Sequence, residues 1–321
     1  MPQTPRPFIS APTSSAHLQS EIAQFEQARL RLLRSNQRDL VFALIGVVLV
    51  LTAYYLYWTS RTTAPLDTWI SIKTTLLLLV LAFSTTKYFK NKRITSFQEK
   101  LKSKLITQLI KDINPALSYS AKGQVFTQEF IASGIFYTTP DHFHSEDSIK
   151  GQIDGIPFHL ADVHAEQGAG DNKVETYFRG PFLMVRLPKF YQGETYILPY
   201  DYKEPFTKKI SRKLWKGGRV GSKINFSSSP FSNTFRVISN NEQQAHSLLN
   251  QPFIDQLMTL PRKSFVSIIQ DRLYVAVDNR RDLLEIDINR SFLKEGLIES
   301  YQEELKGLLG LVTTLNFNKH G

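Results

Sequence analysis

The chain has 321 residues, enough for an anchor and one sizeable domain, and it contains no cysteine. The lack of cysteine excludes disulfides, thiolate catalysis and cysteine-ligated metals. The formal net charge is +10, of which residues 1–113 carry +9 and residues 114–321 only +1. A positive excess confined to the region around two apolar segments indicates membrane orientation and lipid contact, and it argues against nucleic-acid binding.

The N-terminal region, residues 1–15, is rich in proline, serine and threonine, and we expect it to be disordered. The first strong apolar run begins only near Leu40, too far along the chain for a cleavable signal peptide. Between them, residues 16–39 carry a stripe at steps of three and four, which predicts an amphipathic helix. The stripe consists of Leu18, Ile22, Phe25, Arg29 and Leu32.

Residues 40–58 form the first predicted transmembrane helix. The segment contains no charged residue, and at ~1.5 Å per residue it reaches about 28 Å, close to the ~30 Å hydrocarbon core of a bilayer. Its far end is crowded with aromatic residues, whose amphipathic rings favour the level of the lipid headgroups. These residues are Tyr54, Tyr55, Tyr57 and Trp58.

Residues 66–86 form the second predicted transmembrane helix, after a short external loop at residues 59–65. Lys73 lies one turn inside this segment, and a lysine at the bilayer centre would cost about 3 kcal/mol. Because Lys73 is near the end of the segment, its long side chain can carry the ammonium group to the interface. The alternative is an interfacial segment that does not cross the membrane.

The orientation follows from the basic residues beside the two predicted spans. The loop between the spans carries only Arg61, whereas basic residues are frequent before the first span and after the second. By the positive-inside rule, both termini then face the cytoplasm and only the short loop is outside. The residues that set this orientation include Arg34, Arg38, Lys87, Lys90, Lys92 and Arg93.

Residues 87–113 predict a second amphipathic helix. Paired with residues 16–39, it would form a short coiled-coil stalk below the membrane. The alternative is two independent amphipathic helices that lie on the bilayer surface. The apolar positions of the second helix are Ile94, Phe97, Leu101, Leu105 and Leu109.

Residues 114–321 predict a cytoplasmic α+β domain, in which helices cover an antiparallel sheet. The full prediction is therefore a two-helix transmembrane hairpin with helical cytoplasmic extensions and this C-terminal domain. Asp154-Gly155 is typical of a two-residue hairpin turn. The predicted strands are 148–153, 156–163, 176–187, 195–199, the hairpin 265–269 and 273–277 around 270–272, and 284–288. The predicted helices are 129–136, 242–260 and 292–315.

Motif searching reveals no strong catalytic or metal site in this domain. The densest group of possible metal ligands is His142, His144, Glu146 and Asp147, but it follows Pro140 in a segment that also fits a solvated loop. On a strand, His159 would face away from Asp162 and His164, which argues against catalysis by these three residues. The glycine-rich segment 216–223 lacks the spacing of a phosphate-binding loop. We therefore predict no cofactor.

A basic segment at residues 203–223 stands out from the otherwise balanced domain. It fits either a solvated loop or a contact with anionic lipid or an acidic protein partner. The candidate contact residues are Lys208, Lys209, Arg212, Lys213, Lys216 and Arg219.

Four short pieces of the sequence carry a resemblance to a known family. They are Ser133–Phe136, Phe178–Phe182, Phe190–Thr195 and Asn240–Leu249. These pieces resemble a bacterial family of two-span membrane proteins catalogued as a domain of unknown function. The resemblance implies a location in the bacterial inner membrane and no established activity, and it assigns no catalytic residue. The chain departs from the family at Ala161-Asp162, where Ser-Glu is usual, so that pair receives no role from the resemblance.

These observations favour a non-enzymatic function. We expect a membrane-anchored cytoplasmic module that binds or scaffolds a partner at the bacterial inner membrane, with the bilayer itself as one contact. A protein partner, or self-association through the membrane hairpin, would be the other. The alternatives are an enzyme whose active site no motif reveals and an accessory subunit of a transport complex.

Overall fold

The computed structural model describes residues 16–61, 68–136, 138–168, 173–202, 221–226, 229–285, 290–291, 293 and 297–315. Contacts divide the chain into two compact units. The helical unit comprises residues within 15–102 and 286–294, and the sheet unit comprises residues within 103–285 and 295–321.

Two long helices build the helical unit, α1 (Ala16–Arg61) and α2 (Thr68–Leu101). They contact each other, and Arg93 of α2 forms an ion pair with Asp39 of α1. Arg93 also donates to the Ser35 hydroxyl at 3.4 Å. Because these contacts join the C-terminal part of α2 to the middle of α1, the two helices run antiparallel.

Helix α1 includes a segment, Ile22–Leu56, that is long and apolar enough to cross a membrane. Within the described residues it is the one segment that meets this criterion. The second predicted span lies in α2, except for residues 66 and 67, which fall outside the described residues. Its crossing remains a prediction, and so does the external loop.

Helix α2 continues into a π-helical turn, Lys102–Ile106, and then into α3 (Thr107–Ile113). A π-helical turn has i→i+5 hydrogen bonds and holds more residues than an α-helical turn. Leu105 and Leu109 are spaced by four residues and are both buried in the sheet unit.

The sheet unit is α+β, as predicted, and its described residues form a sheet of seven strands in which every pairing is antiparallel. The strand order is β1-β2-β3-β4-β6-β5, and β7 pairs with β4. The strands are β1 (Ser118–Ser120), β2 (His142–Ile153), β3 (Ile156–Gly168), β4 (Val174–Pro199), β5 (Ser222–Ile224), β6 (Phe235–Ser239) and β7 (Ser264–Val277).

Strand β4, which pairs with β3 and β6 on one edge and with β7 on the other, corrects two predictions. The predicted strands 176–187 and 195–199 are parts of one strand, β4. The predicted hairpin 265–277 is wrong, because both of its halves belong to β7 and pair with β4 instead of with each other. Gln270, with a φ of 57°, lies where β7 bends between the two halves. On its other edge, β4 pairs first with β3 and then with β6.

The Asp154-Gly155 hairpin is confirmed. Ile153 pairs with Ile156, and the two turn residues have φ values of 52° and 80°. Two successive positive φ values define the type I′ turn that this dipeptide favours.

The core of the sheet unit contains an aromatic cluster on one face of the sheet. Phe130 stacks on Phe136 with ring centroids 4.9 Å apart, and Phe136 lies 4.9 Å from Phe178. Residues 180–185 of β4 are buried without alternation, which indicates that both faces of the sheet are covered. Phe130 belongs to α4 (Thr127–Ala132), which is shorter than the predicted helix 129–136.

The remaining predicted helices also differ at their boundaries. The predicted helix 242–260 divides into α6 (Glu242–Leu248) and α7 (Gln251–Met258), after α5 (Ser229–Thr234). Asn250 caps α7 by accepting from the amide of Phe253 at 3.0 Å. The last helix, α8 (Leu297–Thr314), contacts α7, and Gln256 donates to the carbonyl of Gly307 at 2.9 Å.

Candidate functional site

The apolar segment of α1 exposes large apolar side chains along residues 40–56. Phe42 is 68% exposed, Leu49 64% and Tyr55 68%. In water, uncovered apolar area of this kind costs roughly 25 cal/mol per Å². The segment contains no charged residue, and a contiguous apolar surface of this kind indicates contact with lipid or with another protein.

Exposed basic residues flank this apolar segment. Arg34 and Arg38 precede it in α1, and Lys87, Lys90 and Lys92 lie in α2, all with exposed side chains. Arg93 is also exposed and forms the ion pair with Asp39 described above. The antiparallel packing of α1 and α2 therefore places these basic residues of both helices on the same side of the apolar segment.

The predicted metal ligands lie on β2, so the interpretation of this segment as a solvated loop is wrong. His144 pairs across the strands with His164, and Glu146 with Asp162. The His144 Nε2 atom is 3.6 Å from Glu146 Oε2, and the His144 side chain is 72% exposed. His142 is exposed as well. Within the described residues, no group of three or more histidine, aspartate or glutamate side chains could hold a metal ion.

Asp147 is separated from its neighbours because the β2–β3 register shifts between Glu146 and Ile149. It has a φ of 56°, is buried, and accepts a 2.5 Å hydrogen bond from the hydroxyl of Tyr119. Burial, together with the nearby carboxylate, raises the pKa of Tyr119 above its usual range, so the phenol remains a donor. This interaction attaches β1 to the bulge of β2.

Asp162 on β3 is buried, and its carboxyl group accepts hydrogen bonds from the backbone of a loop that follows β7. Its Oδ1 and Oδ2 both lie 2.9 Å from the amide of Leu283, and Oδ2 lies 3.4 Å from the amide of Leu284. Burial raises the pKa of Asp162 well above its usual value, against the effect of these amide donors. His159 and His164 have other partners, Ser148 at 2.8 Å and Thr176 at 2.9 Å. The three residues therefore do not form one constellation.

Arg179 anchors the same loop from the neighbouring strand. Its guanidinium forms a two-point contact with Asp282, with Nε–Oδ1 at 3.1 Å and Nη2–Oδ2 at 2.8 Å. Its carbonyl accepts from the amide of Arg280 at 3.0 Å. Two side chains therefore hold the loop 278–285, which follows β7. They are Asp162 on β3 and Arg179 on β4. The predicted strand 284–288 is wrong at its described residues, since Leu284 lies in a turn, and residues 286–289 lie outside the described residues.

Gly180 permits the close approach of β4 to this loop. Its φ is +151°, and a Cβ at this position would lie 2.2 Å from the carbonyl oxygen of Val277. Glycine is therefore required here for both conformation and space.

Strand β4 bends where its register with β7 is interrupted. Between Arg186 and Tyr191 the register with β7 shifts, so that residues 187–190 face a single residue of β7, Asp271. Phe190 at this bend is 64% exposed. The bend nevertheless has defined partners, which we call the asparagine brace.

The asparagine brace consists of Asn240 and Asn241, which follow β6. Asn240 Oδ1 accepts from the amide of Glu194 at 2.8 Å, and Asn241 Nδ2 donates to the carbonyl of Gln192 at 2.9 Å. Gly193 has a φ of +103°, and a Cβ there would lie 2.5 Å from Asn240 Oδ1. The brace therefore fixes residues 192–194 of the bend, which begin two residues after Phe190.

The basic segment falls almost entirely outside the described residues. This applies to Lys208, Lys209, Arg212, Lys213, Lys216 and Arg219. Lys223 is described and lies exposed on β5. The interpretation of this segment as a contact for lipid or an acidic partner stays a prediction.

Three features of this site were missed by sequence reasoning: the role of Asp162, the loop 278–285 and the asparagine brace. The loop carries a signal, because residues 278–282 read Asp-Asn-Arg-Arg-Asp between apolar runs, which is typical of a turn held by side chains. The pairing of Asp162 with this loop has no local signal, because the partners are more than one hundred residues apart.

The fold and the site define a class of protein, an α+β domain with an antiparallel sheet attached to a long helix with a membrane-compatible segment. A family described as "Protein of unknown function (DUF3137)" matches residues 176–317. This match contains three of the four resemblance pieces and excludes Ser133–Phe136. The predicted resemblance to a family of unknown function is confirmed to that extent.

One solved structure is similar to this chain, the crystal structure of the mycobacterial trehalose monomycolate transport factor A, TtfA. The sequences are 11% identical, the likeness covers 62% of this chain and 86% of that chain, and the TM-score is 0.34. At that score the likeness supports no argument about fold or function. Among curated proteins, none matches the chain.

Proposed function

We propose that this chain is a membrane-anchored binding or scaffolding module of the bacterial inner membrane. In this proposal α1 and α2 cross the bilayer as a hairpin, both termini are cytoplasmic, and the sheet unit contacts a protein partner. Self-association through the hairpin is a second route to assembly. The observation that carries the proposal is the exposed apolar surface of α1 over residues 40–56, since lipid is the environment in which such a surface is stable.

The antiparallel packing of α1 and α2 supports the hairpin. A pair of helices joined by residues 62–67 returns the chain to the side from which it entered. The exposed basic residues of both helices lie on the same side of the apolar segment, as the positive-inside rule requires of a cytoplasmic side. Lys73 is exposed and near the opposite end of α2, where its ammonium group can reach the headgroups.

The protein contact in this proposal is the bend of β4. An exposed phenylalanine on a braced backbone loses little conformational entropy on binding, and aromatic side chains are frequent at the centres of interfaces. The charged groups around Arg179 support binding over catalysis, because Arg179 and Asp282 bind each other and Asp162 binds the backbone.

Membrane integration is tested by fractionation of the full-length protein followed by extraction with carbonate at high pH. We expect the wild-type chain to remain in the membrane pellet. Replacing Val48 and Leu49 with lysine should release it, because each lysine at mid-span costs about 3 kcal/mol. The matched control is Gln37→Lys, which adds a charge at the basic flank and should leave the chain in the pellet. Release of the wild-type chain would contradict the proposal.

The partner surface is tested by site-specific photo-crosslinking in living cells. A photoreactive phenylalanine analogue at Phe190 should give a discrete crosslinked product. The control is the same analogue at Phe126, which is 60% exposed but lies beside α4. Equal crosslinking at the two positions, or none at Phe190, would contradict the assignment of this surface.

A further inference from the structure

A groove between α1 and α2 suggests a specific lipid site in the helical unit. It has a volume of about 350 Å³ and opens to the surface. Its α1 side includes Ala43, Gly46, Val47 and Val50, and its α2 side includes Thr85 and Thr86. A Cβ at Gly46 would have no heavy atom within 4 Å, so the glycine leaves open space in this groove.

The groove lining is apolar even where it contains threonine. Thr85 donates to the carbonyl of Leu81 at 2.9 Å, and Thr86 donates to the carbonyl of Phe83 at 2.9 Å. Because these hydroxyl groups bond to their own helix, the groove suits an aliphatic occupant.

The size of the groove favours a lipid chain over another helix. One turn of a helix about 10 Å wide, with a pitch of about 5.4 Å, occupies roughly 420 Å³. The groove therefore has less volume than one turn of a helix. Its lining residues 43–51 of α1 extend over about 12 Å at ~1.5 Å per residue, which is the length of several methylene groups. In the proposed membrane location, the molecules in contact with an open apolar groove are lipids.

Charge complementarity identifies the headgroup. Lys90 follows Thr86 by four residues, which places it one turn beyond the groove and on the same face of α2. Lys87 follows Thr86 directly, and both lysines are exposed. The acidic residue nearest to this end of α1, Asp39, is in the ion pair with Arg93. The end of the groove thus offers a positive field to a phosphate group.

We propose that this groove binds one anionic phospholipid, with an acyl chain along Gly46 and the headgroup at Lys87 and Lys90. This inference rests on the proposed membrane location. It adds a ligand class and a site to the hairpin.

The test is native mass spectrometry of the full-length protein in detergent, with added phosphatidylglycerol or phosphatidylcholine. The wild-type chain should bind one phosphatidylglycerol more tightly than phosphatidylcholine. Gly46→Leu fills the groove and displaces about two methylene groups, which should weaken binding about tenfold. Lys87→Gln with Lys90→Gln should weaken binding of phosphatidylglycerol about thirtyfold, at about 1 kcal/mol per lysine, and leave phosphatidylcholine unchanged.

The matched control is Val48→Phe, which adds bulk on the opposite face of α1 and should bind lipid like the wild type. Equal binding of the two lipids, or unchanged binding by Gly46→Leu, would overturn the inference. Weaker self-association of Gly46→Leu than of the wild type, with lipid binding unchanged, would overturn it in favour of a second copy as the occupant. Carbonate extraction separates this inference from the proposed function. A chain that stays in the membrane but fails these lipid tests refutes the groove alone.

Discussion

Asp162 and Leu283 are separated by more than one hundred residues, yet both carboxylate oxygens of Asp162 lie 2.9 Å from the Leu283 amide. Asp162 is buried, and so is Leu283. The contact attaches the loop after β7 to β3, and a buried amide without an acceptor would be costly. This pair is therefore a principal link between the sheet and its C-terminal loop.

Replacing Asp162 with alanine should lower the free energy of unfolding by about 3 kcal/mol, because it leaves the amides of Leu283 and Leu284 without their acceptor. Asp162→Asn keeps one acceptor oxygen and should cost less. The measurement is thermal unfolding of the full-length protein in detergent, followed by circular dichroism. Equal stability of the alanine variant and the wild type would show that the contact contributes nothing.

Replacing Gly180 with alanine should destabilise the protein by about 3 kcal/mol, since the new Cβ would collide with the Val277 carbonyl and the φ of +151° is unfavourable for alanine. Gly168→Ala is the control, because its Cβ would make an ordinary 3.5 Å contact with Asp141. Denaturant unfolding of both variants gives the comparison. We expect a clear loss for the first and little change for the second, and the reverse order would refute the assigned geometry.

The imidazole of His159 predicts a dependence of stability on pH. Burial, and secondly the charge of Lys150, lowers the pKa of His159 to about 4. In the unfolded chain the pKa is about 6.5. The histidine therefore contributes stability that is fully present above pH 6.5 and is lost as the pH falls from 6.5 toward 4. The difference in melting temperature between wild type and His159→Gln should shrink or reverse over this window, and a constant difference would contradict it.

The Arg179–Asp282 pair should show a coupling free energy of about 1 kcal/mol in a double-mutant cycle of Arg179→Ala and Asp282→Asn. The value is modest because the Arg179 side chain is 34% exposed. Arg179→Lys should recover part of the charge interaction but not the two-point geometry. Additive effects of the two substitutions would show that Arg179 and Asp282 do not hold the loop 278–285 through their contact with each other.

Local sequence signals were sufficient for the α+β class, the antiparallel pairing and the hairpin at Asp154-Gly155. They were insufficient where pairing is non-local. Residues 265–269 and 273–277 have the composition of a hairpin, but each half gains more from pairing with β4, which leaves Gln270 in a bend instead of a turn. Composition also led to the wrong prediction of a loop at residues 142–147. These residues belong to β2, in which exposed histidines lie next to a bulge.

The helix 242–260 was predicted as continuous from its apolar spacing. Asn250 and Pro252 instead indicate the start of a second helix, since asparagine is a preferred N-cap and proline is tolerated in the first turn of a helix. Local signals predicted little of the candidate site, because its contacts join distant parts of the chain. The asparagine brace joins residues 192–194 to residues 240 and 241, and only the fold brings these segments together.

The most direct test of the central claim is the side of the membrane on which the sheet unit lies. Because the chain contains no cysteine, single cysteines can be introduced at Thr63, between the predicted spans, and at Lys150, exposed on β2. Spheroplasts are then treated with a membrane-impermeant maleimide. The account predicts labelling of Thr63→Cys in intact spheroplasts and labelling of Lys150→Cys only after permeabilisation. Labelling of Lys150→Cys in intact spheroplasts would contradict the two-span hairpin and the cytoplasmic location of the domain.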